Sequence, residues 1–347
     1  MRALPLLLLC AVALPAQEIE WDRAYGAPRY ACGPNTAAID ITGDLWVLCD
    51  GTSYATRKSL TTLYRVNGAT GDLKLTREIP QPAPTANWPI RQHLIPTGDT
   101  VSLLSDLLHP KSGKVQYHEG IALTRYNANG EPGPAKSITP KDEVLEASIP
   151  GPNGSFYLGT DQIRHFDANG TILWARRLTK NQYLPALAAF PNGALCATAQ
   201  TPKGPQLLRL SPTGAVTHQT LIAADQGTVA AGPANTCALL ASDANHAVSL
   251  SAYTPANQPQ WKTATPLTAP LGRSYSLHAL PNGYLAINEK TIAKYTFTGK
   301  LEWANPLPAP RRVDSMVITG SVVYLLYSTA GLPVADMSFH VVKVRVH

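Results

Sequence analysis

Long apolar runs are absent from this sequence after its first sixteen residues. The run within MRALPLLLLCAVALPA (1–16) is too short to cross a bilayer as a helix. One arginine precedes it and small residues follow it, which is typical of a cleavable secretory signal. We therefore expect cleavage near Ala16, no transmembrane segment, and a periplasmic or secreted mature chain (17–347).

Charged residues are also scarce, at 15% of the chain, and no run of one sign occurs. The formal net charge of +6 comes from lysines and arginines that are scattered along the sequence. Because nucleic-acid binding needs a concentrated basic patch, the composition argues against a nucleic-acid partner. The 30 prolines and the lack of low-complexity segments favour one compact β domain over a disordered chain.

Common catalytic and metal-binding motifs are missing as well. Nine histidines are present, but H-E-x-x-H, H-x-H, G-x-S-x-G and C-x-x-C do not occur. Each histidine is therefore expected to be a hydrogen-bonded structural residue more often than a ligand or base. No catalytic residue is predicted, and the question of enzymatic activity stays open with a preference against it.

The sequence does contain a repeated segment. Two alternating strands separated by a Gly- or Asn-bearing turn recur six times, at 63–75, 123–135, 163–175, 207–219, 251–263 and 293–305. A recurrence at roughly 40 to 60 residues is typical of propellers and solenoids. A further turn precedes each repeat and the C-terminal strand, at 41–44, 96–99, 151–154, 191–194, 232–235, 281–284 and 318–321. Together the two sets of turns predict seven blades of four strands.

Two segments have no partner in this scheme. FHVVKVRVH (339–347) is a strand with no turn after it, and EIEWDRAYG (18–26) resembles the second half of the repeat. If the N-terminal strand completes the last blade, both segments are paired. We therefore predict an all-β, seven-bladed β-propeller of four-stranded antiparallel blades that is closed by its own termini, with no second domain.

Four cysteines remain after signal cleavage: Cys32, Cys49, Cys196 and Cys237. An even number in an exported protein suggests disulfides. Cys32 and Cys49 enter and leave the first hairpin of blade 1 on the same side, which favours their pairing. Cys196 and Cys237 lie on equivalent strands of neighbouring blades, where a disulfide and two buried thiols are equally plausible.

The turn segments YTFTGKLEW (295–303), FDANGTILW (166–174) and VNGATGDLKL (66–75) resemble the pyrroloquinoline-quinone-like repeat. In that pattern a Thr-Gly turn precedes a tryptophan that docks between blades. Residues Trp21, Trp174, Trp261 and Trp303 match it. The resemblance implies a quinoprotein dehydrogenase or an outer-membrane assembly scaffold. The adjacent cysteine pair of the quinoproteins is absent, so no quinone cofactor is predicted.

The predicted topology places one set of loops around a mouth of the central channel. The candidate ligand-binding residues there are Arg29, Tyr30, Arg91, His93, Tyr183, Arg273, Tyr275, Arg311, Arg312 and Asp314. Arginines recognise carboxylates bidentately and tyrosines add flat contact area, so we expect an anionic or carboxylate-bearing ligand. The alternative is that these residues bridge blades and face water.

Long loops are predicted in blades 7, 1 and 2, at 327–339, 50–61 and 105–119. Since these blades are neighbours in the ring, the loops are expected to bind another envelope or extracellular protein. The acids that precede blade 3 are expected to stay solvated. No cofactor is predicted, but calcium is compatible with Asp142, Glu143, Asp225 and Asp314, because it accepts oxygen ligands without fixed spacing.

The preferred function is an exported, non-enzymatic binding platform in a bacterial envelope. The alternative is an enzyme with its site at the channel mouth, either a quinoprotein-like oxidoreductase or a lyase or hydrolase of sugar or peptide polymers.

Overall fold

The computed structural model describes residues 17–26, 30–53, 59–79, 88–109, 117–178, 183–223, 226–268, 276–288, 290–307, 313–328 and 339–347. At 30–32, 52–53, 59–60, 88–90, 108–109, 117, 183, 185 and 226 it describes the backbone only. Apart from two short 3-10 turns, Pro152–Gly154 and Pro233–Asn235, the regular elements of the described residues are β-strands. None of these residues forms a helix long and apolar enough to span a membrane.

The strands form seven four-stranded sheets. The first strand of the chain, β1 (Gln17–Tyr25), belongs to the last blade. Blade 1 contains β2 (Tyr30–Ile39), β3 (Leu45–Ser53), β4 (Ser59–Val66) and β5 (Leu73–Ile79). Blade 2 contains β6 (Trp88–Pro96), β7 (Val101–His109), β8 (Tyr117–Tyr126) and β9 (Lys136–Ser137). Blade 3 contains β10 (Ala147–Pro150), β11 (Phe156–Gly159), β12 (Gln162–Phe166) and β13 (Ile172–Arg177).

The remaining blades follow the same order. Blade 4 contains β14 (Tyr183–Ala189), β15 (Leu195–Gln200), β16 (Gln206–Leu210) and β17 (Val216–Leu221). Blade 5 contains β18 (Gln226–Ala231), β19 (Cys237–Ser242), β20 (Val248–Tyr253) and β21 (Pro259–Ala264). Blade 6 contains β22 (Ser276–Leu280), β23 (Gly283–Ile287), β24 (Thr291–Tyr295) and β25 (Leu301–Pro306). Blade 7 contains β26 (Ser315–Thr319), β27 (Val322–Ser328), β28 (Phe339–Val346) and β1.

The ring is closed by β1, as predicted. It pairs antiparallel with β28 from Gln17 opposite Val346 to Tyr25 opposite Phe339. Across this seam Glu20 forms salt bridges with Lys343 and Arg345. Burial alone would raise the pKa of Glu20, but the hydrogen bonds and charges of these two cations lower it. The seven-bladed prediction is therefore confirmed, including its closure by the two ends of the described chain.

The hydrophobic core is divided among the joints between blades. At the joint of blades 1 and 2, for example, Trp46 and Leu48 pack with Leu94 and Leu103. The second strand of each blade is buried on both faces because it contacts both neighbouring blades. This explains why LWVLC (45–49) and similar segments read as continuous apolar runs instead of alternating ones.

Tryptophans of outer strands dock on glycines of the next blade. The indole Nε1 of Trp174 donates to the Pro212 carbonyl (2.8 Å), and its ring lies over Gly214. A Cβ at Gly214 would lie 2.5 Å from that ring, and the φ of +80° also favours glycine. The other three tryptophans follow the pattern in part: Trp261 lies over Gly299, Trp21 lies over Gly71, and Trp303 donates to the His347 carbonyl.

The joint between blades 4 and 5 has a different chemistry. The buried guanidinium of Arg209 donates to the Asn257 side chain (3.0 Å) and to the carbonyls of Tyr253 and Thr254 (both 3.1 Å). Asn257 occupies the turn position that glycine holds elsewhere, with φ +57°. Burial lowers the pKa of Arg209 to about 10. An Arg–Asn contact thus replaces the Trp–Gly contact here.

The same joint carries a disulfide between Cys196 on β15 and Cys237 on β19. Both residues are fully buried, and their Cα atoms are 6.2 Å apart. Of the two alternatives left open by the sequence, the disulfide is the one that the structure contains. Cys49 is also disulfide-bonded. The side chain of Cys32 lies outside the described residues, so its pairing with Cys49 stays a prediction.

Candidate functional site

The loop that connects blade 2 to blade 3 lies at the predicted mouth of the channel and is fully described (138–146). Its backbone is bonded to the end of the β7–β8 hairpin. The Leu145 amide donates to the Asp106 carboxylate (3.1 Å), and the Asp142 amide donates to the His118 carbonyl (2.8 Å). The loop is therefore a fixed part of the ring and can hold side chains at the mouth in one arrangement.

Arg91 is anchored on this loop. Its Nη1 donates to the Leu145 carbonyl (2.8 Å) and lies 3.0 Å from the Glu146 carboxylate. The Arg91 and Glu146 side chains stay 42% and 29% exposed. Among the described residues no acceptor is found for its Nε or Nη2. The guanidinium is thus oriented by this loop and is partly exposed.

A carboxylate and an imidazole lie next to Arg91. Asp106 is directly opposite Arg91 in the register of β6 and β7, and it has no exposed surface. Its Oδ1 is 2.9 Å from Nδ1 of His118, whose side chain is 27% exposed. We refer to Arg91, Asp106, His118, Leu145 and Glu146 as the blade 2–3 cluster. It combines a cation, two carboxylates and a histidine in one hydrogen-bonded network.

Glu143 departs from the expectation that the acids before blade 3 are solvated. It is 8% exposed and forms a bidentate salt bridge with Arg164 of β12, whose side chain is 4% exposed. Thr160 adds a hydrogen bond to the same carboxylate (3.1 Å). The expectation was wrong for Glu143 because Arg164, a buried residue on the third strand of blade 3, forms a salt bridge with it. The pair fastens the loop that carries Leu145 and Glu146.

The channel wall between blades 1 and 2 presents a second polar group. Asn35 sits at a β-bulge of β2 and is exposed. Its amide donates to Asp50 (2.8 Å) and lies 3.5 Å from the Gln92 side-chain oxygen. Bulges re-aim side chains, and this one points an amide toward the neighbouring blade. It extends the polar surface of the mouth from the blade 2–3 cluster to blade 1.

Two histidines lie on first strands, which line the channel. Nδ1 of His93 is 2.8 Å from Ser148 Oγ of the next blade, and Nε2 of His278 is 2.6 Å from Ser276 Oγ. Burial lowers the pKa of both to about 4, and the charge of Arg91 contributes at His93. Both imidazoles are therefore neutral near pH 7.

Because of these two histidines, we expect the free energy of unfolding to decrease in acid. Their pKa is about 4 when folded and about 6.5 when unfolded, so below pH 6.5 the unfolded chain binds protons that the folded chain does not. The contribution of these two histidines to the free energy of unfolding is constant above pH 6.5 and decreases between pH 6.5 and pH 4, by up to about 3 kcal/mol per histidine. Guanidinium unfolding at pH 7.5 and 4.5 measures this loss.

The matched variant for this measurement is His93→Asn with His278→Gln, which keeps a donor to each serine and removes the titration. It is expected to lose less stability between the two pH values than the wild type. His246→Gln, at an exposed turn, serves as the control and should follow the wild type. An equal loss in all three proteins would contradict the prediction.

Most of the predicted mouth residues cannot be placed. Arg29, Arg273, Tyr275, Arg311 and Arg312 lie outside the described residues, and for Tyr30 and Tyr183 only the backbone is described. Arg91 and His93 lie on alternate positions of β6, on the face that contacts Leu145 and Ser148. Asp314 is exposed, and its Oδ2 accepts a hydrogen bond from the Ser328 amide (2.8 Å). The anion-binding role of the set stays a prediction.

The compatibility of calcium with Asp142, Glu143, Asp225 and Asp314 stays an expectation from the sequence. No cluster of three metal-ligating side chains is found in the described part of the chain, and Asp225 lies outside it. Glu143 is already paired with Arg164.

The tips of the three long loops, 54–58, 110–116 and 329–338, are likewise outside the described residues. Their three blades are neighbours in the ring, as predicted.

Sequence reasoning missed the Asp106–His118 contact. The available signal was Asp106 itself, since a lone carboxylate within the apolar strand VSLLSDLLH (101–109) requires a partner. That partner is twelve residues away across a hairpin. The length of the hairpin loop does not show which residue of the second strand meets Asp106.

Comparison with solved structures finds the same fold in proteins of different function. A catalytically inactive variant of virginiamycin B lyase from Staphylococcus aureus with quinupristin is 13% identical, with a TM-score of 0.62 over 94% of this chain and 99% of that one. A streptogramin B lyase is 15% identical, with a TM-score of 0.60 over 94% and 98%. BBS1N in complex with ARL6DN is 10% identical, with a TM-score of 0.59 over 96% and 97%.

No protein-family model matches the sequence, and no curated protein matches it. The similarity to solved structures, at 10 to 15% identity, establishes the fold alone.

Proposed function

We propose that the protein is an exported propeller that binds a carboxylate-bearing ligand at the mouth of its channel. The observation that carries the proposal is the position of Arg91. Its guanidinium is oriented by the Leu145 carbonyl and by Glu146 and remains 42% exposed. Preorganised arginines bind carboxylates with two parallel hydrogen bonds, and less entropy is lost when the side chain is already fixed.

The neighbouring groups narrow the ligand chemistry. Glu146 accepts hydrogen bonds and carries a negative charge beside Arg91, while Asn35 and Asp50 offer amide and carboxylate groups on the adjoining wall. A ligand with only negative charge would be repelled by these carboxylates. The surface favours a carboxylate that is accompanied by hydroxyl or ammonium groups, as in peptides and uronic-acid glycans.

Export is supported by two independent features. Residues 1–16 have the layout of a secretory signal. The disulfide between Cys196 and Cys237 lies in the core, and structural disulfides persist in oxidising compartments such as the periplasm. We place the protein there or outside the cell.

A role in binding partner proteins is the second part of the proposal. The bases of the three long loops lie on neighbouring blades, so one partner could contact all three. Among the fold neighbours, BBS1N is described in complex with ARL6DN, and the lyases are enzymes.

The docking of Trp174 on Gly214 supports descent from the pyrroloquinoline-quinone-like repeat, which includes both enzymes and scaffolds.

The test is ligand binding by an Arg91→Ala variant. Calorimetric titration with a panel of peptides and uronic-acid oligosaccharides identifies a ligand of the wild-type protein. Loss of a charge-assisted bidentate contact is expected to weaken that ligand about 10- to 100-fold. Arg176→Ala, an exposed arginine on the outer strand β13, is the matched control and should bind as the wild type. Equal affinity of both variants and the wild type would contradict the proposal.

A further inference from the structure

The contact between His118 and Asp106 has the geometry of an acid–base pair. We propose that His118 acts as a general base that hydrolyses carboxylic esters bound at the mouth, with Asp106 as its positioning residue. The proposal rests on the mouth being the ligand face, and it adds a chemical step to the binding proposed above.

Asp106 is an unusual residue for this strand because it is fully buried in an apolar segment. A buried carboxylate is costly unless it is paired and hydrogen-bonded. Oδ2 accepts the Leu145 amide, and Oδ1 faces Nδ1 of His118 at 2.9 Å. Since the carboxylate can only accept, Nδ1 carries the proton. The contact therefore fixes the tautomer of His118.

In the neutral imidazole this tautomer leaves Nε2 with its lone pair. In the described part of the chain Nε2 of His118 has no hydrogen-bond partner, and the side chain is 27% exposed at the mouth. The backbone of His118 is held independently by the Asp142 amide. The base is thus oriented and accessible.

Arg91 supplies the positive charge that such a site needs. It lies opposite Asp106 in the sheet register, and cross-strand neighbours have Cβ atoms about 4.5–5.5 Å apart. Arg91 and Asp106 bond the carbonyl and the amide of the same residue, Leu145. A guanidinium at this position can accommodate the carboxylate or the acyl oxygen of an ester while His118 activates water.

The step is a simple hydrolysis. The oxygen of a water molecule forms a bond to the acyl carbon of the ester as Nε2 of His118 takes its proton, and the electron pair of the carbonyl π bond moves onto the acyl oxygen. The tetrahedral intermediate then breaks the bond between the acyl carbon and the alcohol oxygen. The imidazolium returns its proton to the departing alkoxide or to solvent. An acid and an alcohol are released, and His118 regains its starting state.

The test uses 4-nitrophenyl acetate as the probe and follows release of 4-nitrophenolate by the full chain. His118→Asn keeps a donor for Asp106 at the position of Nδ1 but is not a base, and it is expected to lower the rate about 100-fold or more. Asp106→Asn is expected to lower the rate through the wrong tautomer. Added imidazole should restore activity to His118→Ala but not to Asp106→Asn. His246→Gln is the control for an exposed histidine and should keep the wild-type rate.

Three results would overturn the proposal: a wild-type rate no higher than that of free N-acetylhistidine, an unchanged rate in His118→Asn, or an equal loss in His246→Gln. Ligand affinity and thermal unfolding of His118→Asn are measured on the same sample. Retained affinity with lost hydrolysis supports the acid–base role. If hydrolysis depends on His118 but Arg91→Ala binds every ligand normally, the binding proposal fails and the catalytic one stands.

Discussion

A chain that starts at residue 26, without β1, is expected to lose its closed monomeric ring. β1 forms one full edge of blade 7, with eight paired positions against β28 and a salt-bridge network around Glu20. At about 1 kcal/mol for each backbone hydrogen bond, its loss removes roughly 5–10 kcal/mol, which equals the whole stability of many domains. The exposed edge of β28 is also a template for pairing with other chains.

Size-exclusion chromatography with light scattering measures this effect. A chain that starts at residue 17 is the control and should be monomeric with one cooperative melting transition. The shorter chain should be aggregated or oligomeric, and a synthetic peptide of residues 17–25 should restore the monomer. A shorter chain that melts as the control does would show that the seam does not support the ring.

Replacement of Glu143 by alanine is expected to destabilise the protein by about 3–5 kcal/mol. The substitution leaves Arg164 buried with no counter-charge, and that penalty exceeds the value of the lost contact. The double variant Glu143→Leu with Arg164→Met removes both charges and fills the space with apolar atoms. It is expected to be close to the wild type in stability, because a buried pair contributes little net free energy.

Urea unfolding of the wild type, the single variant and the double variant separates these terms. An unchanged m-value shows that the midpoint shift reports stability. Glu143→Ala should also weaken ligand binding at Arg91, because the loop that carries Leu145 and Glu146 loses its anchor. A loss below about 1 kcal/mol in the single variant would mean that Arg164 finds another partner and that the pair is not an anchor.

The fold was predictable because its signals are local. Each predicted turn contains glycine or asparagine. The number and spacing of these turns predict the number of strands without any knowledge of the contacts between them. The closure was predictable for the same reason, since 18–26 and 339–347 each resemble half of a hairpin. Both signals depend on residues a few positions apart.

The candidate site was predictable only as a location. The topology brought Arg91 and His93 to the mouth, but the contacts there join residues of three strands and a loop. Whether Asp106 meets His118 depends on a bulge between Leu107 and Leu108 that shifts the register of β7 and β8. Glu143 was misjudged because Lys141 and Asp142 beside it are exposed, whereas its partner Arg164 lies 21 residues away in the sequence.

The varied joints between blades have a consequence for assembly. Blades 3 and 5 present tryptophans to their followers, blade 1 presents Leu75 to Gly130, and blade 4 presents Arg209 to Asn257. A blade that met the wrong follower would bring an indole against asparagine or leave a buried guanidinium without its acceptors. Identical repeats would be free to exchange places within one chain or between two copies. In this ring, neighbouring blades are joined by contacts that differ from one joint to another. These contacts therefore favour the correct order of the blades over an arrangement in which two blades are exchanged.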